Sequence, residues 1–254
     1  MVRDKQQNRK VGKSKCKMEN RIFEQNLKNM SATAASATAP VAPKKAPLLP
    51  KTLQERLELE EILEVPATLE EYFNFLPECE YRIDYSDGKI ISMGYASLTH
   101  EALVGRIIYL LTDIFGIETS YHVLGSNVAT FIPDVQAVHN ADVVVLQGKP
   151  QHYIHQGKKK KIKTLLNPHI IVEVLSRTTT RYDLGVKLPR YKTLPSVQHI
   201  LLVGQHTKSI SLYSRTNRPG QWLNIEEQDA ENGFVTLHRK KLKLADIYRN
   251  GLVE

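Results

Sequence analysis

Two short apolar runs constrain this chain more than anything else in it: "VVVL" (Val143 to Leu146) and "HIIVEVLS" (His169 to Ser176). Both are β-branched and only a strand's length, so they read as interior strands of a sheet covered on both faces. The second run contains an acid, Glu173. An ionised carboxylate among Ile170, Ile171, Val172 and Val174 costs on the order of several kcal/mol unless a cation or strong donors face it. A second acid, Asp142, stands immediately before the first run. If the two strands pair, the carboxylates converge and raise each other's pKa unless a divalent ion lies between them. A hard ion such as Mg²⁺ suits a few carboxylate oxygens plus waters and a phosphate. Asp84, farther upstream, is a candidate third acid.

The remaining elements follow from pattern. Thr68 is placed to cap "LEEYFNFL", with Glu71 completing a capping box. "YRIDYSDGKIISMG" reads as a hairpin turning at Asp87-Gly88. "SLTHEALVGRIIYLLTDIFG" has apolar residues at Leu103, Ile107, Leu110, Leu111 and Ile114, which is helical spacing. "HVLGSNVATFIPDVQAVHNADVVVL" predicts two strands joined around Pro133-Asp134, and a helix is expected from about Thr180. "HILLVG" and "SISLYS" are strands, "QWLNIE" and "FVTLH" a closing hairpin, and "LKLADIY" a final helical turn. The class is therefore α/β or α+β, built on a mixed sheet flanked by helices.

Charge is distributed unevenly. The chain has 254 residues and a net charge of +8, yet 12 of its 35 Lys and Arg, against 3 acids, fall in residues 1 to 51. That stretch is polar, basic and rich in Ala, Ser and Pro, the composition of a flexible arm. Residues 52 to 65 read as a short helix or linker, and 66 to 254 as the folded domain. Outside the arm, the dense basic patch is Lys158 to Lys163, a candidate for phosphate contact. Gly12-Lys13-Ser14 lacks the rest of a phosphate loop. No apolar run reaches the roughly 20 residues of a membrane span, and no signal peptide is legible. Cys16 and Cys79 suggest free thiols rather than a disulfide framework. The expectation is a cytoplasmic protein.

From about Pro66 onward the sequence resembles the Uma-type endonucleases, a branch of the restriction-endonuclease-like PD-(D/E)XK superfamily. The matching stretches are "YRIDYSDGKIISMGYASLTHEALVGRI", "FIPDVQAVHNADVVVL", "NPHIIVEVLSRTTTRYDLGVKLPRYKTLPSVQHILLV" and "LKLADIY". The resemblance implies a restriction-endonuclease-like core, Mg²⁺ (or Mn²⁺) as cofactor, DNA as the nucleic-acid partner, and a homodimer. It also implies site roles: Asp84, Asp142 and Glu173 as metal-binding acids, and Lys187 as the lysine that orients water. Outside the resemblance, each residue has a plainer reading. Asp142 could cap a turn, Glu173 could simply pair with Lys187, Asp84 could be a hairpin residue and Lys187 a solvated one. His100 reads as a cap neighbour, His152 and His155 as loop residues, and Asp183 as an ordinary i, i+4 partner of Lys187.

The sequence departs from the family pattern at several points. Asp84 stands where Glu is usual, Ala141 where the motif has Pro, Arg177 where Pro is common, Val186 where Glu is frequent, and Leu175 where the superfamily lysine belongs. Pro189 falls inside the expected helix, where an interior proline costs about 3 kcal/mol, and this puts the aim of Lys187 in question. A chain that keeps the fold as a binding module without turnover is the alternative reading.

Overall fold

The computed structural model describes residues 49–59, 62–116, 120–157, 160–237 and 239–250. Residues 1–48 of the arm, with Cys16, lie outside the described residues, as do Lys158 and Lys159 of the basic patch. Contacts divide the chain at Ala46/Pro47, and the described sheets and helices belong to the second unit, Pro47–Glu254. Order begins earlier than Pro66: Leu49 is buried with Val65, Tyr72 and Phe73, and the Pro50 carbonyl accepts from the Tyr81 hydroxyl at 2.5 Å.

The chain forms α1 (Leu53–Leu57), β1 (Leu63–Pro66), α2 (Leu69–Phe75), β2 (Ile83–Ser86), β3 (Lys89–Ser92) and α3 (Leu98–Phe115). The stretch expected to hold two strands holds four: β4 (Tyr121–Leu124), β5 (Ala129–Ile132), β6 (Ala137–Asn140) and β7 (Val143–Gln147). A 3-10 turn, Pro133–Val135, separates β5 from β6, with Gln136 in the left-handed region. Next come β8 (His152–Gln156), β9 (Lys161–Leu165) and β10 (Pro168–Leu175). Thus His152 and His155 lie on a strand rather than a loop. Then α4 (Thr180–Tyr182) passes through a π-helical turn, Asp183–Lys187, into α5 (Leu188–Tyr191). Strands β11 (His199–Gly204), β12 (Ile210–Arg215), β13 (Trp222–Glu227), β14 (Phe234–Leu237) and β15 (Lys240–Lys243) precede α6 (Leu244–Ile247).

The strands divide between a seven-stranded sheet, β1-β3-β2-β6-β5-β9-β8, and a six-stranded sheet, β13-β12-β11-β10-β7-β4, with β14-β15 apart. The fold is mixed α+β, as the patterning indicates. The expected closing hairpin is not formed, because β13 pairs with β12 and β14 pairs with β15. Both apolar runs are interior: β10 lies between β7, antiparallel, and β11, parallel. Alternation along β10 sends Ile170, Val172 and Val174 toward α3 and β14-β15, while Ile171 faces the other way, toward Leu188 and Tyr191. Ile132, Ala137 and Leu165 of the seven-stranded sheet join that second cluster, so it fills the space between the two sheets. The chain crosses from one sheet to the other at Asn140-Ala141-Asp142.

Local chemistry fixes the elements that frame the crossing. Asp87 (φ 51°) and Gly88 (φ 71°) give β2–β3 the paired positive φ of a tight hairpin turn. Ser97 caps α3 by accepting from the His100 amide at 3.2 Å, and buried Leu103, Val104, Ile107, Leu111, Ile114 and Phe115 line its inner face. The π turn disposes of the Pro189 problem. The Leu188 amide bonds back five residues to the Asp183 carbonyl, and Pro189 then falls in the first turn of α5, where an N–H is dispensable.

Candidate active site

The register of the two apolar strands places the acids. Val172 pairs with Val143, so one further antiparallel step sets Glu173 opposite Asp142, on the same face of the sheet. The face is the one that α5 covers. Lys187, aimed by the π turn, enters the same space: its Nζ lies 3.2 Å from Glu173 Oε1, 3.2 Å from Asp183 Oδ1 and 3.9 Å from Asp84 Oδ2. It also donates to the Asn140 carbonyl at 3.2 Å. Asp84 arrives from the other sheet, because Tyr85 pairs with Val138 and Asp84 is thereby opposite His139. All four sequence-derived residues are buried, and they meet in one place: Asp84, Asp142, Glu173 and Lys187 are 4%, 7%, 2% and 6% exposed.

Each acid is held differently. Asp84 Oδ1 accepts from the Asn140 amide at 2.9 Å and from its Nδ2 at 2.8 Å. Its Oδ2 lies 3.3 Å from His139 Nδ1 and 3.4 Å from the Tyr182 hydroxyl. Asp142 Oδ2 accepts from the Val174 amide at 2.8 Å and lies 3.1 Å from His100 Nε2, while Oδ1 lies 3.8 Å from the Arg82 guanidinium. Glu173 Oε1 accepts from the Tyr191 hydroxyl at 2.7 Å as well as from Lys187.

The electrostatics follow from four acids, Asp84, Asp142, Glu173 and Asp183, around one ammonium. Burial would raise the Asp84 pKa, but Lys187, His139 and Asn140 together pull it down to about 2. Burial likewise opposes ionisation of Asp142, and His100, Lys187 and the Val174 amide outweigh it, leaving its pKa lowered. Glu173 goes the other way: burial, with Asp183 and Asp142 nearby, raises its pKa well above the ordinary value despite Lys187. Asp183 is also raised, chiefly by burial. Lys187 stays an ammonium, because the surrounding acids outweigh its desolvation. His139 is held neutral by burial, whereas Asp142 and Glu101 raise the pKa of His100 against burial.

Sequence reasoning missed part of this cluster. His100, read as a cap neighbour, bonds Asp142; its place in the first turn of α3 was the available signal. Asp183 is indeed the i, i+4 partner of Lys187, but buried, so it belongs to the same charge cluster. His139 and Asn140 carry no local signal, since their roles depend on β2 lying beside β6. His155 stacks on Phe73 with ring centroids 4.4 Å apart, a packing role.

Among the described residues no three His, Cys, Asp or Glu side chains form a ready metal cage. The donor chemistry nevertheless fits a hard divalent ion, which is commonly held by one or two carboxylates plus waters and phosphate. Asp142 Oδ1 accepts no hydrogen bond among the described residues and, with Glu173 opposite, belongs to a cluster with more acids than cations.

A family model described as "Uma2: Putative restriction endonuclease" matches residues 69–238. The chain belongs to the Uma2 family. An uncharacterised protein of Synechocystis sp. is 26% identical over 175 residues, spanning 69% of this chain and 94% of that relative. A second from the same organism is 26% identical over 170 residues, spanning 64% of this chain and 80% of the relative. A crystal structure from Anabaena variabilis, described as "a putative nuclease belonging to DUF820", superposes with a TM-score of 0.58 at 16% identity, covering 72% of this chain and 98% of that one. The Uma2 match carries the nuclease assignment, and the Anabaena structure shows the shared fold. Among the described residues no helix is long and apolar enough to cross a membrane.

Proposed function

We propose that this Uma2 chain is a Mg²⁺-dependent endonuclease that hydrolyses phosphodiester bonds in DNA. The observation that carries the reading is Glu173 opposite Asp142 across two buried strands, with the Lys187 ammonium 3.2 Å from Glu173. Asp142 and Glu173 would hold the ion, and Asp84 completes the acidic set from the neighbouring sheet. When bound, the ion polarises a phosphoryl oxygen and lowers the pKa of water.

The chain's own residues do the rest. His100 and the Val174 amide fix Asp142 through Oδ2 and leave Oδ1 available as a ligand. Tyr191 fixes Glu173. Glu173, Asp183 and Asp84 hold Lys187 in its charged form, so it acts as an electrostatic partner for the phosphate and the attacking water rather than as a base. The near-complete burial of the cluster keeps bulk solvent out and strengthens each of these interactions.

The test is to titrate Mn²⁺ into wild type, Asp142→Asn, Glu173→Gln and Lys187→Met, and to assay each on duplex and single-stranded DNA and on RNA. We expect metal binding lost in the two acid variants and retained in Lys187→Met, with cleavage of DNA lost in all three. Wild type that neither binds metal nor cuts removes the proposal. One observation favours the alternative of a binding module without turnover: protein donors already engage both Asp84 oxygens and three acids already neutralise Lys187. Metal binding without cleavage in wild type would select it.

A further inference from the structure

We propose that the exposed lysine-bearing face of the β8–β9 ribbon is a nucleic-acid backbone track, with Lys161 and Lys163 holding phosphates and leading the strand past Arg82 to the acidic site. This deepens the nuclease reading above and rests on it for the identity of the partner.

The first observation is which face the lysines occupy. Asp84 is opposite His139 by the β2–β6 register, His139 pairs with Thr130, and Thr130 pairs with Leu165. Paired residues share a face, and residues two apart on a strand share it again. Lys163 and Lys161 therefore project from the same face of the seven-stranded sheet as Asp84 and His139. Ile162, between them, and Thr164, after Lys163, are buried on the opposite side.

The second observation is which end they reach. Asn140 is level with Ala129, one residue before Thr130, and β9 runs parallel to β5. Lys163 and Lys161 precede Leu165 by two and four positions, so at roughly 3.3 Å per residue Lys161 stands about 10 Å beyond the level of Asn140. That is the end of the sheet where the chain turns through Asp142 into the site. Sideways, β9 is three strand steps from β2, about 14 Å at ~4.8 Å per step.

The third observation is what lies between. Arg82 Nη1 donates to the Ser126 carbonyl at 3.3 Å, in the loop that enters β5, and sits 3.8 Å from Asp142 Oδ1. Lys161, Lys163 and Arg82 thus sit on one face and at one end of the sheet, the end where Arg82 meets Asp142, the most exposed acid of the cluster. Lys160, Lys161 and Lys163 are exposed and make no ion pair among the described residues. The ribbon's exposed face pairs Gln156 with Lys161 and Ile154 with Lys163, a polar surface in which Ile154 is the exposed apolar member. Such a surface suits a sugar-phosphate backbone and lacks the apolar face a membrane-binding element needs.

The experiment measures binding of the full chain to a DNA duplex without divalent metal, across a range of salt, for wild type and Lys161→Ala/Lys163→Ala. A charge-matched control, Lys208→Ala/Lys240→Ala, removes two exposed lysines elsewhere. The expected result is weaker binding and a log K versus log salt slope smaller by about 1 per lysine in the ribbon variant, with the control unchanged and Mn²⁺ affinity unaltered in both. Equal affinity and slope in wild type and ribbon variant would overturn the track. So would loss of binding to phosphatidylserine vesicles with DNA binding intact. If wild type binds DNA through the ribbon yet cuts nothing with metal, the track stands and the catalytic reading falls; if wild type cuts and the ribbon variant is unaffected, the reverse holds.

Discussion

The Asp84 carboxylate offers the most direct measurement of how this cluster is held together. Its pKa falls from 3.8 to about 2 on folding. At ~1.36 kcal/mol per pH unit, that lowering corresponds to about 2 kcal/mol of stability. Because the folded-state value is the lower one, this contribution is fully present above the unfolded pKa and is lost as pH falls through 4 toward 2. Asp84→Asn removes the titration while keeping the shape, although its Nδ2 then faces either the Asn140 donors or Lys187 and the Tyr182 hydroxyl. Urea unfolding of wild type and variant at pH steps from 2 to 6 should give a stability difference that is flat above pH 5 and shrinks by about 2 kcal/mol toward pH 2. A pH-independent difference would refute the account, since it would mean that Lys187, His139 and Asn140 do not favour the ionised carboxylate.

Four further outcomes follow from the same geometry. Lys187→Met strips the ammonium from a buried group of acids, a change that typically costs about 3–5 kcal/mol; the loss should be larger at pH 8 than at pH 5, because Glu173 and Asp183, with raised pKa values, relieve it by taking up protons, and urea midpoints at the two pH values check this. His100→Ala should weaken Mn²⁺ binding about 10- to 100-fold by freeing Asp142, with His100→Gln restoring much of it, as read by calorimetric titration. Gly88→Ala, at φ 71° in the β2–β3 turn, should lower stability by about 1–2 kcal/mol while sparing metal affinity. Pro189→Ala should shift stability by less than about 1 kcal/mol, because the π turn already accommodates the ring; thermal melts that change by several degrees would contradict that.

Much of the fold was legible because its signals are local. The Asp-Gly turn needs left-handed backbone, the capped amphipathic α3 needs one apolar stripe, and runs of Val and Ile need cover on both faces. Glu173 announced itself by the same logic: an acid in an apolar strand demands a partner, and Lys187 is there. The stretch 121–147 was harder, since a short loop at 125–128, a 3-10 turn and a two-residue crossing divide it into four strands. The partner of "QWLNIE" was likewise a matter of pairing, which neighbouring sequence does not specify.

What the chain fixed by itself was therefore the kind of fold and the demand for positive charge beside Glu173, both consequences of side-chain period and the cost of burying an ion. Only the packed molecule decided which groups answer that demand. His100 reaches Asp142 across 42 positions and His139 reaches Asp84 across 55, and the π turn that aims Lys187 is visible only once α5 is docked. Periodicity is a property of neighbours in sequence, whereas a charge cluster is a property of neighbours in space, and strand register between two sheets is what converts one into the other.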